Sequence, residues 1–149
     1  SGSHNEERQQ QKFQFMEHYS KLLKQQISEK KSSQKNWIIC GDWNIAHTKD
    51  DIKNWRGNQK NSGFLPEERA WMDDLFNSWG YSDAFRVLNH ATDQYTWWSN
   101  RGNAYANNVG WRIDYQVISS HLVNKVKSVA IYKEQRFSDH APLIIEYSL

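Results

Sequence analysis

The sequence holds one cysteine, Cys40, and no second to pair with it. That excludes an internal disulfide and fits a reducing compartment, so a cytoplasmic location is expected. No run approaches the roughly 18 consecutive apolar residues of a membrane span, so no membrane partner is expected. No secretory signal is visible, because the N-terminus is polar and charged. Excess charge is also lacking: a net charge of +2 permits nucleic-acid binding without demanding it. There is no internal repeat, low-complexity tract or interdomain linker.

What is present suits one soluble globular domain, with 149 residues, 38% of them hydrophobic, and eight tryptophans, many for this length. Ser1-Gly2-Ser3-His4 reads as the scar of a cleaved expression tag. The natural sequence is then expected to begin near Asn5, inside a helix, which points to a truncated chain.

Helical spacing of Phe15/Met16, Tyr19, Leu22/Leu23 and Ile27 predicts a helix from Asn5 to about Lys31. Asn5 is its expected cap, and Lys30 and Lys31 suit its negative end. Trp37–Cys40 is apolar on both pleat faces and predicts a strand covered on both sides, with Cys40 as a buried thiol. The polar stretch Gly41 to Gly63 is a long connection, of the kind that is usually functional. Pro66 opens a second helix with Trp71, Leu75 and Trp79 on its buried face, and Gly80 stops it. A short helical piece is predicted over Asp83 to Leu88. Strands are predicted at Tyr95–Trp98, Trp111–Ile118, Val126–Tyr132 and Leu143–Tyr147, with a loop over Arg101 to Gly110. This order predicts an α/β fold, a mixed sheet with helices on one face.

Three polar clusters sit at or within these strands: Gly41-Asp42-Trp43-Asn44, Arg112-Ile113-Asp114 and Ser138-Asp139-His140. Gathered together, their carboxylates, amide and imidazole make a phosphodiesterase-like set. Asp42 suits a general base or water-orienting group, and Asn44 offers an amide donor to the same oxygens. His140 can donate to a phosphate oxygen when a carboxylate partner holds the right state. Taken singly, each cluster has a plainer explanation: turn chemistry for Gly-Asp-x-Asn, a solvated face for alternating Arg112, Asp114 and Gln116, and a loop entering a strand for Ser-Asp-His. Only the combination favours chemistry.

Further runs stand with these in a familiar order: Asn58-x-x-Asn61-Ser62-Gly63-Phe64, Pro66-Glu67-Glu68-Arg69, Tyr95-Thr96-Trp97-Trp98 and Asn108-Val109-Gly110-Trp111-Arg112-Ile113-Asp114. Together the motifs resemble bacterial exonuclease III, of the superfamily that includes deoxyribonuclease I and abasic-site endonucleases. The resemblance covers essentially everything after residues 1–4. It implies the C-terminal half of a four-layer α/β sandwich of the deoxyribonuclease I-like fold, spanning residues 5–149. It also implies that the early Asn and Glu motifs, including the principal metal-ligating Glu, and an active-site Tyr are missing.

By resemblance, Asp114 is the partner of His140, and Asp139 approaches the metal. The metal implied is Mg2+, with Mn2+ as an alternative. Trp97, Trp111 and Ile113 match positions that wall the pocket for a flipped-out baseless sugar, while Asn58 and Asn61 resemble DNA contacts. Core packing is the usual fate of tryptophan, and a polar loop the usual setting of asparagine. The implied function is DNA repair: hydrolysis of duplex DNA from 3′ ends and incision at abasic sites, with double-stranded DNA as partner. The alternatives are another phosphodiesterase or phosphatase of the superfamily, and a non-catalytic DNA-binding half-domain. One helical layer covers one sheet face, so a homodimer, or association with the missing N-terminal half, is expected through the other.

Overall fold

A computed structural model describes residues 2–28 and 35–149. They fall into two compact units, residues 1–35 and 36–149. In the first unit, α1 runs over Gly2–Ile27. It begins before Asn5, so that residue lies inside the helix. Phe15 and Leu22 are exposed, and Phe15 stacks on Tyr19 at 5.5 Å. Lys30 and Lys31 lie outside the described residues.

The second unit carries the remaining elements: β1 (Ile38–Asp42), α2 (Pro66–Asn77), β2 (Tyr81–Asp83), α3 (Ala84–Leu88), β3 (Trp97–Trp98), β4 (Gly110–Trp111), β5 (Asp114–Ser119), β6 (Val126–Ile131) and β7 (Leu143–Tyr147). The α/β class is as expected. All strand pairs among the described residues are antiparallel, in a three-stranded sheet ordered β1-β5-β2 and two hairpins, β3-β4 and β6-β7. Two short 3-10 turns, Lys49–Asp51 and Arg56–Asn58, give the long connection internal structure.

Helix α2 starts where Pro66 predicts it. Glu68 reaches back, and its Oε1 accepts the backbone N–H groups of Gly63 (2.8 Å) and Leu65 (3.1 Å), donors that the helix start would otherwise leave unmet. Met72 and Leu75 are buried, while half-buried Trp71 and Trp79 pack edge to face at 5.4 Å. Phe76 brings the helix onto Tyr115 of β5, ring centroids 6.4 Å apart. On the opposite pleat face, Ile38 and Ile118 join Ala84, Leu122, Val126 and Ile145 in a second apolar cluster.

Two expectations need correction. Strand β1 is an edge strand among the described residues, and Cys40 is exposed. An apolar run of four residues suits a buried strand equally well in the middle or at the rim of a sheet, so the run could not decide this. The predicted strand Trp111–Ile118 is also broken. Trp111 pairs with β3, and the β5 ladder begins only at Asp114. Arg112 therefore does not alternate outward with Asp114 and Gln116; it is 1% exposed.

Candidate active site

The register of β1 against β5 sets Asp42 directly opposite Asp114. Side chains of such a pair share one face, and two like charges there destabilise the ladder unless a third group intervenes. That group is His140. Its Nδ1 lies 2.9 Å from Asp114 Oδ2, and its Nε2 lies 4.0 Å from Asp42 Oδ2.

Local chemistry places each member. Beyond β1 the chain turns through Asn44, at φ +54 in the left-handed region that Asn tolerates better than most residues. Asp42 Oδ1 accepts the Asn44 backbone N–H at 2.8 Å, so the expected turn chemistry is real and fixes the carboxylate. Trp43 N–H donates to Ile113 O at 2.9 Å, tying the turn to the start of β5. There the buried Thr96 hydroxyl oxygen accepts the N–H groups of Ile113 and Asp114, both at 3.1 Å.

The Ser-Asp-His loop docks beside β3. Trp98 N–H donates to Asp139 O at 3.1 Å, Ala141 N–H donates to Thr96 O at 2.8 Å, and Trp97 bridges to His140. Ser138 Oγ both accepts the His140 N–H (2.9 Å) and donates to His140 O (3.0 Å). Asp139 Oδ2 accepts the indole N–H of Trp97 at 3.1 Å.

These surroundings set the proton affinities. Burial alone would lower the His140 imidazole, but its hydrogen bond to Asp114 and the charges of Asp114, Asp42 and Asp139 outweigh this and raise it above its ordinary value. Burial raises the Asp114 carboxyl, with the bonds from His140 and Thr96 opposing.

Ligand atoms of Asp42, Asp114 and His140 all lie within 4.8 Å of one another. Carboxylate oxygens are the donors that Mg2+ and Mn2+ prefer, and partial exposure leaves room for water and phosphate. The two carboxylates suit a hard divalent cation, while His140, bonded to Asp114 and with its proton affinity raised, serves as a donor and not as a ligand. Asp139 stands outside this trio, turned toward Trp97.

Around the trio lies an aromatic wall. Trp97 and Trp111 meet edge to face at 6.3 Å, both packed on the cluster of Ala46, Ile52, Phe64 and Ile113. Ile113 is only 5% exposed, so the accessible wall surface comes from the two tryptophans. Gly63 lets Trp111 approach: a Cβ at that position would meet Trp111 Cζ3 at 2.8 Å.

Asn58 and Asn61 lie on the long connection and bond to one another, Asn61 Nδ2 to Asn58 Oδ1 at 2.8 Å, with Asn58 Nδ2 donating to Asn54 O at 2.7 Å. No hydrogen bond among the described residues joins them to Asp42 or His140. They share that connection with Ile52, which bridges to Trp111, and Lys53, whose N–H donates to Gly110 O at 3.1 Å.

The sequence reading missed what anchors this connection. Arg112 Nε donates to Asp51 Oδ1 (2.8 Å) and its Nη2 to Asp83 Oδ2 (2.6 Å), while Arg86 Nη2 donates to Asp51 Oδ1 (2.6 Å). Burial would raise Asp51, yet the two guanidiniums hold it at about 2. Asp51 and Asp83 are ordinary acidic residues of polar stretches, and no local signal marks them. Thr96 was equally silent inside its strand motif.

The arrangement can orient a water at Asp42, present donors to an anion from His140 and Asn44, and receive a flat or apolar group at the tryptophan wall.

Comparison with known proteins agrees. Residues 14–140 match the Endonuclease/Exonuclease/phosphatase family. The zebrafish (Danio rerio) DNA repair nuclease APEX1 is 42% identical over 116 residues, covering 76% of this chain and 36% of that protein. The Bacillus subtilis exodeoxyribonuclease is 39% identical over 107 residues, covering 71% of this chain and 42% of that protein. The crystal structure of the AP endonuclease LMAP from Leishmania major superposes with a TM-score of 0.80 at 30% identity, over 91% of this chain and 43% of that one. The chain thus spans less than half the length of these relatives. An Archaeoglobus fulgidus AP endonuclease, 21% identical with a TM-score of 0.83, shares the fold. The chain belongs to the endonuclease/exonuclease/phosphatase family.

Proposed function

We propose that this chain is the C-terminal part of a DNA-repair phosphodiesterase of the exonuclease III type, acting on duplex DNA at 3′ ends and abasic sites with Mg2+ or Mn2+. The observation that carries this reading is His140 standing between Asp114 and Asp42. Asp42 accepts a proton from the attacking water, whose oxygen bonds to phosphorus as the bond to the leaving oxygen breaks. His140, held by Asp114, donates to a phosphoryl oxygen and stabilises its growing charge, with Asn44 beside it. A bound divalent cation would supply charge neutralisation at the phosphate, and Asp139, the neighbour of His140 in the chain, is its proposed ligand. Trp97 and Trp111, with Ile113 behind them, receive a sugar without its base, which is the least costly nucleotide to extrude. Asn58 and Asn61 contact the backbone of the DNA. The setting is the cytoplasm.

The chain spans less than half the length of these relatives, and full activity is proposed to need the N-terminal part that the resemblance implies. The proposed route of association, with that part or with a second copy, is the exposed face of the sheet beside Cys40.

The test is incision of a duplex with one abasic site, in Mg2+, by this chain alone and after adding the N-terminal part of the Bacillus subtilis relative. Activity only on addition supports the reading in full. Equal activity without it removes the requirement for the other part. No incision in either case, with the two parts shown to associate, counts against the nuclease reading and leaves DNA binding alone.

A further inference from the structure

Asp139 lies on a loop, and no strand ladder sets the direction of its carboxylate. Its backbone is pinned through Trp98 N–H to Asp139 O at 3.1 Å, but that bond leaves χ1 unconstrained. The carboxylate itself has one hydrogen-bond partner among the described residues, the indole N–H of Trp97, which donates to Oδ2 at 3.1 Å. An indole nitrogen can only donate, so the bond fixes which end of the carboxylate faces the ring and turns Oδ1 away from it. The ring in turn has little freedom. It packs edge to face on Trp111 and against Ala46, Ile52, Phe64 and Ile113.

We infer that Trp97 is a positioning residue for Asp139: its indole N–H orients the carboxylate so that Oδ1 is presented to the divalent cation. This rests on the proposed metal-ligating role of Asp139, and it gives Trp97 a polar task besides that of an apolar wall. Partners of this kind hold a metal ligand in its working rotamer before the metal arrives, and their loss typically weakens metal binding about 10- to 100-fold.

The test uses the whole chain with Mn2+ as probe, following paramagnetic broadening of the His140 backbone amide by NMR. Trp97→Phe keeps an aromatic ring on Trp111 and removes only the donor. It is expected to raise the Mn2+ midpoint about tenfold, and to change it little when made in an Asp139→Asn background. Asp139→Asn alone should raise the midpoint at least as far. If Asp139→Asn weakens Mn2+ binding and Trp97→Phe does not, the inference is overturned and the metal reading of Asp139 survives. If Asp139→Asn leaves the midpoint unchanged, both fall. A second readout does not depend on the variant at Trp97 folding: in the unmutated chain the Trp97 indole N–H should exchange slowly with solvent, and Asp139→Ala should speed that exchange. Unaltered exchange in Asp139→Ala would also overturn the inference.

Discussion

Asp42 and Asp114 face each other across the β1–β5 ladder, and His140 completes the pair from a loop that docks on β3. Two carboxylates in register on one sheet face repel, so the imidazole between them is held in its protonated form more firmly than a solvent-exposed one.

His140 should accordingly titrate above 6.5, its ordinary value. A folded-state value raised above the unfolded one contributes stability below the unfolded pKa, and that contribution is lost as pH rises through the folded value. Asp114→Asn should bring the titration down, because the strongest raising partner is neutralised. NMR of the His140 ring across pH 5 to 9, roughly the range in which His responds, reads both; an identical midpoint in the two proteins would show that Asp114 does not govern the imidazole.

Asp51 carries the opposite sign. Its carboxyl is held at about 2 against an ordinary 3.8, so the stability it provides is present above pH ~4 and lost as pH falls toward ~2, about 2 kcal/mol in all. Asp51→Asn should cost about 3–5 kcal/mol, because Arg112 is left buried with an incomplete set of partners. Urea denaturation at neutral pH measures this, and a cost under about 1 kcal/mol would mean that Asp83 alone satisfies Arg112.

Gly63 sits at φ +97 with Trp111 packed against it. Gly63→Ala meets both backbone strain and a 2.8 Å approach to the ring, and should destabilise by about 1–3 kcal/mol. Trp111 must shift to make room, so its indole NMR signal should move while that of Trp79, which packs on Trp71 just past the end of α2, stays. A stationary Trp111 signal would show that the backbone yields instead.

Cys40 is exposed at the sheet rim. It should react stoichiometrically with a thiol reagent in the folded protein, the rate rising with pH as the thiolate forms, and doing so at higher pH than for a free thiol because partial burial raises the thiol above its ordinary value. Cys40→Ser should change stability by no more than about 0.5 kcal/mol. A thiol that reacts only in denaturant would restore the buried position expected from the sequence.

Much of this was written locally in the chain. Pro66 and Gly80 bracket α2 because one lacks an N–H and the other takes up φ +88, and the apolar runs of β6 and β7 give hairpin strands wherever they are placed. The three polar clusters were legible as candidates because Asp, Asn and His recur at strand ends in a fixed order. Their meeting was not. Asp42 and Asp114 oppose each other only because of the ladder register, and a slip of one residue would send one of them to the other face. The plainer explanation, with Arg112 facing outward, fails because alternation holds only along an unbroken strand, and the chain changes partners between Trp111 and Asp114. Trp97 and Asp139 lie 42 residues apart. The sequence by itself determined which groups are available. Only the tertiary structure decided which share a face, which charge is buried with which, and which oxygen a distant N–H can reach, because those depend on register and packing between segments that carry no local record of one another.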